Sequence, residues 1–436
     1  MEIKKRIRAG LADLARPVSI APLIIFRISF GLLMFVSLLR FEWRGWVDSV
    51  YVTPKFHFTY MGFEWVRQAG ATGMHLLFLL VAVAALFVAL GLFYRVAIVV
   101  FFIGFTYIEL IDVTTYLNHY YFISLVAFLM IWLPAGSDYS LDIRLHPKRR
   151  RQTTSAWTIN ILRCQIAIVY IFAGLAKLNA DWLLHAEPMR TWLPAKTHLP
   201  LIGPLLYKEW VAYFFSWFGA AYDLFIVFFL LYRKTRVVAY GFVLIFHIAT
   251  AIFFPGIGLF PYVMIVSSLI FFPGRAITAA TNDKPIKTPG LALAVYVVIQ
   301  LLIPARFLLY PGGLFWHEEG YRFSWRVMLM EKSGAAYFTI RDSTGSRSYV
   351  VDNKDFLTPL QEKMMSTQPD MILKYAHHLA DEYARKGVPK PKVYGEVYVA
   401  LNGRRSRLFV DSAVDLAAQP LSWRHYRWVL PYEQSK

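Results

Sequence analysis

Residues 161–182 read ILRCQIAIVYIFAGLAKLNADW. The chain is largely apolar from Ile159 to Ala176, then meets Lys177 and turns polar. A bilayer core takes roughly 20 apolar residues of helix, so the run 158–178 predicts a membrane span with a lysine at its end. Two readings of that lysine stand side by side. A long cationic side chain near a helix end can snorkel to water. Held inside instead, the ammonium is disfavoured by burial, and the resulting neutral amine is a proton acceptor. Tyr170, Ala173, Gly174 and Lys177 share a helix face at spacings of three and four. The small pair Ala173–Gly174 leaves room for a neighbouring helix or a flat ligand.

The rest of the chain repeats the pattern. Apolar runs at 20–40, 73–92, 95–112, 119–135, 158–178, 209–231, 236–254, 258–272 and 290–309 predict a polytopic α-helical membrane protein of about nine transmembrane helices. Of 436 residues, 57% are hydrophobic and 17% charged, with a mean hydropathy of +0.44, which is apolar for a soluble protein. The 13 Trp, 26 Tyr and 35 Phe suit rings placed at membrane interfaces. A net charge of +18 raises nucleic acid as a partner. The cations argue against it, because they sit mostly in short loops between apolar runs. RLHPKRRR (144–151) and RKTR (233–236) fall on one side of the membrane, and the sparser Arg44, Lys55, Arg67, Arg190, Lys196 and Lys208 on the other. The positive-inside rule then places the N-terminus in the cytoplasm and the C-terminal region outside it. Residues 1–19 read as a basic amphipathic segment, with Ile3, Ile7, Leu11 and Leu14 at helical spacing, lying on the cytoplasmic surface.

The division that follows is 20–310 for the membrane domain and 311–436 for a small extracytoplasmic α+β domain. AAYFTIRD (335–342) and RSYVVDN (347–353) alternate like strands around the turn STGS. VYGEVYVALNGRRSRLFVDS (393–412) carries Asn402-Gly403 between two alternating runs, a strong hairpin signal. Leu357–Met365 and Pro369–Lys386 read as helices between them. The single cysteine, Cys164, excludes an internal disulfide. There is no HExxH or CxxC, and no metal is expected.

Charged groups inside spans are expensive, at about 2.5–3.5 kcal/mol each on insertion scales, so each needs a reason. Arg27 reads as structural pairing or snorkelling. Asp112 marks an interface, and Glu109, a turn deeper, is offered as partner to a buried cation. Asp223 in AAYDLFIVFF is equally conspicuous. Asn118 and His119 open a span among Tyr116, Tyr120 and Tyr121, a cluster able to hydrogen-bond a quinone-like ring. His247 lies in LIFHIATAIFF, either as a satisfied core histidine or as part of that site.

These segments resemble the vitamin K-dependent γ-glutamyl carboxylases and their bacterial relatives with a horizontally transferred transmembrane domain. The resemblance is carried by IFRISFGLLMF, LGLFYR, YLNHYYFISLVAF, ILRCQIAIVYIFAGLAKLNADW and FHIATAIFFPGIGLFPYVMIVSS, with EEGYRFSWRVML after the last span. It implies that Lys177 is the base that deprotonates reduced vitamin K. Asn118, His119 and His247 would serve the quinol site and catalysis, and Tyr116, Tyr120 and Tyr170 would line the pocket. The implied reaction couples quinol oxygenation by O₂ to addition of CO₂ at the γ-carbon of a protein glutamate, with vitamin K epoxide as the other product. Reduced vitamin K or a menaquinol would be the cofactor. The lipid bilayer and a glutamate-containing peptide or protein would be the partners, at a bacterial inner membrane with the C-terminal domain periplasmic. Two positions depart from the animal motif: Ala176 replaces a lysine and Asn179 an aspartate. A quinol epoxidase without carboxylation and a non-enzymatic transporter or lipid-binding protein are the alternatives.

Overall fold

A computed structural model describes residues 10, 12–274 and 283–432. The basic segment expected at 1–19 therefore lies largely outside the described residues. The membrane part is built from α1 (Ala21–Trp43), α2 (Gly70–Leu90), α3 (Tyr94–Ile111), α4 (Asn118–Trp132), α5 (Ala156–Ala176), α6 (Glu209–Leu231), α7 (Arg236–Phe253), α8 (Phe260–Ser268) and α9 (Gly290–Ala305). Strand β1 (Pro17–Ser19) pairs antiparallel with β2 (Thr153–Ser155) and ties the entry of α1 to that of α5.

Seven of these helices are long and apolar enough to cross a membrane, among the described residues. The runs 119–135 and 258–272 instead form shorter apolar helices, Asn118–Trp132 and Phe260–Phe271. At 1.5 Å per residue the 15 residues of α4 reach roughly 22 Å, short of a core of about 30 Å. Leu133-Pro134 ends α4 in extended backbone, and the Pro255–Gly258 turn delays the start of α8. The Asn118–His119 pair opens the first of these two short helices.

Helices α1 to α4 pack in sequence order, α5 packs against α6, and α8 packs on both α7 and α1. The α1–α2 crossing depends on Gly31, where an added Cβ would sit 2.5 Å from the Ala89 backbone nitrogen. Arg27 is fully buried and donates to three carbonyls of the loop after α4: Ala135 (2.9 Å), Asp138 (3.2 Å) and Tyr139 (2.6 Å). Its reason is structural, since a guanidinium satisfies carbonyls that a sharp loop leaves open.

The C-terminal region holds a four-stranded antiparallel sheet in the order β4 (Ser348–Val350), β3 (Lys332–Arg341), β5 (Lys392–Leu401), β6 (Arg407–Leu408). Helices α10 (Pro359–Met365) and α11 (Pro369–Arg385) lie between β4 and β5 in the chain. Thr358 and Gln361 form a capping box that starts α10. Phe338, Ile340, Val397 and Val399 share a buried core with Met371, Tyr375 and Leu379 of α11. Asn402 and Gly403 both take positive φ, 49° and 67°, in the turn closed by Arg404 N–H donating to Leu401 O at 3.1 Å, and β6 starts three residues beyond it.

Phe58 and Val113 of the membrane part belong to this same core. Asp112, expected only to mark an interface, is fully buried and accepts from Gln361 Nε2 at 3.1 Å and from Thr114 N at 2.9 Å, with His57 Nδ1 also at 3.1 Å. The C-terminal domain is therefore seated firmly on this side.

Candidate functional site

Helix α5 brings Tyr170 and Lys177 to one face, two turns apart, and α6 meets that face with the adjacent pair Tyr222 and Asp223. Lys177 Nζ donates to Asp223 Oδ2 at 2.7 Å, and each residue is 6% exposed. Lys177 also reaches Ala173 O at 3.4 Å and lies 5.3 Å over the Trp182 ring. This excludes snorkelling: the ammonium end is held inside, against a carboxylate. The partner is Asp223, not Glu109. Close approach of the two helices makes the pair possible. A Cβ at Gly174 would meet the Leu224 backbone nitrogen at 2.7 Å, so the space beside Ala173–Gly174 is taken by α6 rather than by a ligand. Gly174→Val is expected to push α6 away and open the ion pair one turn further along. Overpacking of this kind costs about 1–3 kcal/mol, to be read as a lowered thermal midpoint of the purified protein.

A second polar chain runs beside the first. Tyr222 and Tyr170 hydroxyls are 3.4 Å apart, and Tyr170 Oη is 3.1 Å from His247 Nε2. With Tyr170 donating to Nε2, the His247 proton sits on Nδ1, which has no hydrogen-bond partner among the described residues. His119 Nε2 is likewise buried and unpartnered. The Phe260 ring contacts both imidazoles, with centroids 5.5 Å from His247 and 6.1 Å from His119. A buried unsatisfied polar atom is costly, and each of these two imidazoles carries one beside the same phenylalanine ring.

Tyr116, Asn118, His119 and Phe260 line a cavity of ≈ 340 Å³ together with segment 326–332. Sites for small molecules run from roughly 300 to 1,000 Å³. Tyr116 donates to Asn118 Oδ1 (2.9 Å) and accepts from Phe323 N (2.6 Å), and Asn118 Nδ2 donates to Arg326 O (2.8 Å). Phe323 and Trp325 pack on Tyr121, and Trp325 is buried in the membrane core. Phe323, Trp325 and Met328 have φ of 59°, 60° and 54°, a left-handed conformation that bulky residues adopt only under constraint. Tyr120 sets its ring edge against His119, at 4.6 Å, without lining this cavity. Lys177 and Tyr170 are not on its wall either. Leu329 stands between, lining the cavity on one side and packing with Ala176 and Trp182 on the other.

The residues after Lys177 are organised by their own hydrogen bonds. Asn179 Oδ1 caps the short helix Ala180–Leu184 by accepting from Trp182 N, and its Nδ2 donates to Ala176 O. An aspartate could make the first bond but not the second. Asp181 receives Asn402 Nδ2 at 2.7 Å and both terminal nitrogens of Arg404. Burial opposes ionisation of this carboxyl, and the bonds from Arg404 and Asn402 overcome it, holding Asp181 below the usual aspartate range. On the cavity wall, burial lowers Lys332 below the usual lysine range, partly offset by Glu318 at 2.8 Å. No cluster of metal-ligating side chains occurs among the described residues. Sequence reasoning singled out Asp223 without pairing it and missed Asp181 and Phe260. Depth gave no signal for the pair, because the spans 158–178 and 209–231 put Lys177 at a span end and Asp223 past the middle of its span.

The family model of the HTTM domain matches residues 15–275, and that of the vitamin K-dependent gamma-carboxylase lumenal domain matches residues 287–435. No solved structure matches the chain.

Proposed function

The chain belongs to the HTTM family and carries the lumenal domain of vitamin K-dependent gamma-carboxylases; on that premise we propose that it is a membrane-embedded, quinol-dependent γ-glutamyl carboxylase. The observation that carries this is the pair of unpartnered imidazole nitrogens beside Phe260, with His247 linked through Tyr170 to Tyr222, the neighbour in sequence of the Asp223 that pairs with Lys177. When bound, reduced vitamin K or a menaquinol supplies, on oxygenation by O₂, the strong base that removes a glutamyl γ-proton so that CO₂ can add.

The chain's own residues do the rest. Lys177 Nζ accepts the proton of the quinol hydroxyl. To do so it must be the neutral amine, and Asp223 Oδ2, 2.7 Å away, is the group placed to hold the surplus proton. His119 and His247 hydrogen-bond the ring oxygens, with Tyr170 fixing the His247 tautomer. Asn118 keeps one amide hydrogen free for the ligand while tying the wall at Arg326. Segment 326–332 covers part of the cavity and narrows the access of water, which would quench a strong base. An apolar groove of ≈ 370 Å³ between α6 and α7, lined by Tyr222, Phe225, Val238 and Phe242, suits an isoprenoid tail. In this reading the N-terminus is cytoplasmic and the site opens toward the periplasm of a bacterial inner membrane.

Purified protein given reduced vitamin K, O₂, bicarbonate and a glutamate-containing peptide is expected to yield epoxide and γ-carboxyglutamate together. Epoxide alone would make the protein a quinol epoxidase. Folded protein yielding neither would remove the reading, and solute flux into proteoliposomes would then favour a transporter.

A further inference from the structure

We propose that Asp181 is a positioning residue: by gripping the Asn402–Arg404 turn it latches the C-terminal domain onto the lysine-bearing motif and holds the wall of the Asn118–His119 cavity in place. The wall begins as a strained segment and continues into β3, so something must fix the joint between them. Asn402 does this twice over. Its backbone N–H donates to Glu331 O at 2.8 Å, and its side-chain Oδ1 accepts from Glu331 N at 2.9 Å. Its remaining side-chain group, Nδ2, is the one that donates to Asp181 at 2.7 Å. Arg404 adds its guanidinium to the same carboxylate. Trp192 Nε1, from the loop after Asp181, donates to Glu331 Oε2 at 2.5 Å. Gly403 sits at the tip against that loop, where a Cβ would lie 3.4 Å from Thr191 Oγ1.

The grip continues toward the site. Trp182, next to Asp181, donates to Ser216 O on α6 at 2.7 Å and presents its ring to Lys177. Leu329, two residues before Glu331, is fully buried against Ala176 and Trp182. One carboxylate therefore joins the hairpin, the cavity wall and the lysine's own aromatic neighbour. The far side of the domain is seated through Phe58, Val113 and Asp112, so Asp181 fixes the near side, where Trp192 on Glu331 and Asn118 on Arg326 are further ties on the wall. Its consequence for turnover rests on the functional reading above; the latch itself does not.

The test uses the full chain in lipid nanodiscs, with Asp181→Asn, Arg404→Gln, their double variant and Arg404→Lys. Backbone hydrogen exchange over 327–332 and 401–404 is expected to quicken about tenfold in either single variant, since charge-assisted bonds are lost. The double variant should be no faster than Asp181→Asn, because Arg404 acts through that carboxylate, and Arg404→Lys should recover part of the protection. Unchanged exchange in both singles, or effects that simply add, would overturn the latch whatever the enzyme does. Where the wild type makes carboxyglutamate, its kcat should fall about tenfold in Asp181→Asn with KM for the quinol unchanged, and an unchanged kcat would overturn the positioning role.

Discussion

Lys177→Ala is expected to abolish epoxide and carboxyglutamate alike. A positioned general base contributes typically 10²–10⁴-fold, and in this account every later step waits on the proton that Lys177 Nζ removes. Both products should therefore fall together by about 10²-fold or more. Lys177→Arg should be no better, because a guanidinium keeps its charge at any working pH and cannot accept a proton. That comparison separates a base from a cation that merely balances Asp223. Retained epoxidation in Lys177→Arg would remove the base assignment while leaving the ion pair intact.

The second large effect is on stability. Asp223→Leu leaves a buried lysine with only Ala173 O and the Trp182 ring as partners. Removing one member of a buried pair costs about 3–5 kcal/mol, whereas replacing both with apolar residues of similar volume is often neutral or stabilising. Asp223→Leu is expected to lower the thermal midpoint sharply in detergent. The double variant Lys177→Met with Asp223→Leu should recover it and remain inactive. Recovery of the fold without recovery of turnover would show that the pair is kept for chemistry. An Asp223→Leu protein as stable as the wild type would contradict the buried pair itself.

Much of the fold was legible because the patterns that specify it are local. The apolar runs gave the long spans to within a few residues: 20–40 became Ala21–Trp43, and 209–231 became Glu209–Leu231. Asn402-Gly403 was readable as a turn because only certain residues take positive φ cheaply. The two runs taken as full spans, 119–135 and 258–272, were not distinguishable by hydropathy from longer ones. Their shortness depends on where proline and extended backbone cut the helix.

The site was legible residue by residue but not as an arrangement. Lys177, His119 and His247 stood out by polarity in apolar surroundings. Asp223 stood out for the same reason, yet nothing local pairs it with a lysine 46 positions earlier; that depends on how closely Gly174 lets α6 approach. Asp181 carried no local signal, and its partner Asn402 lies 221 residues away in another domain. Phe260 was one phenylalanine among 35, and its place beside two imidazoles follows only from how α8 packs against α7 and α1.

The most direct measurement is the structure of the full chain with reduced vitamin K or a menaquinol bound. The account predicts ring density against Phe260, with one oxygen within hydrogen-bond reach of Lys177 Nζ, about 2.6–3.2 Å directly or through one water, and another near a histidine nitrogen of His119 or His247. A ring seated elsewhere in the membrane part, with Lys177 still closed on Asp223 and Phe260 untouched, would contradict it.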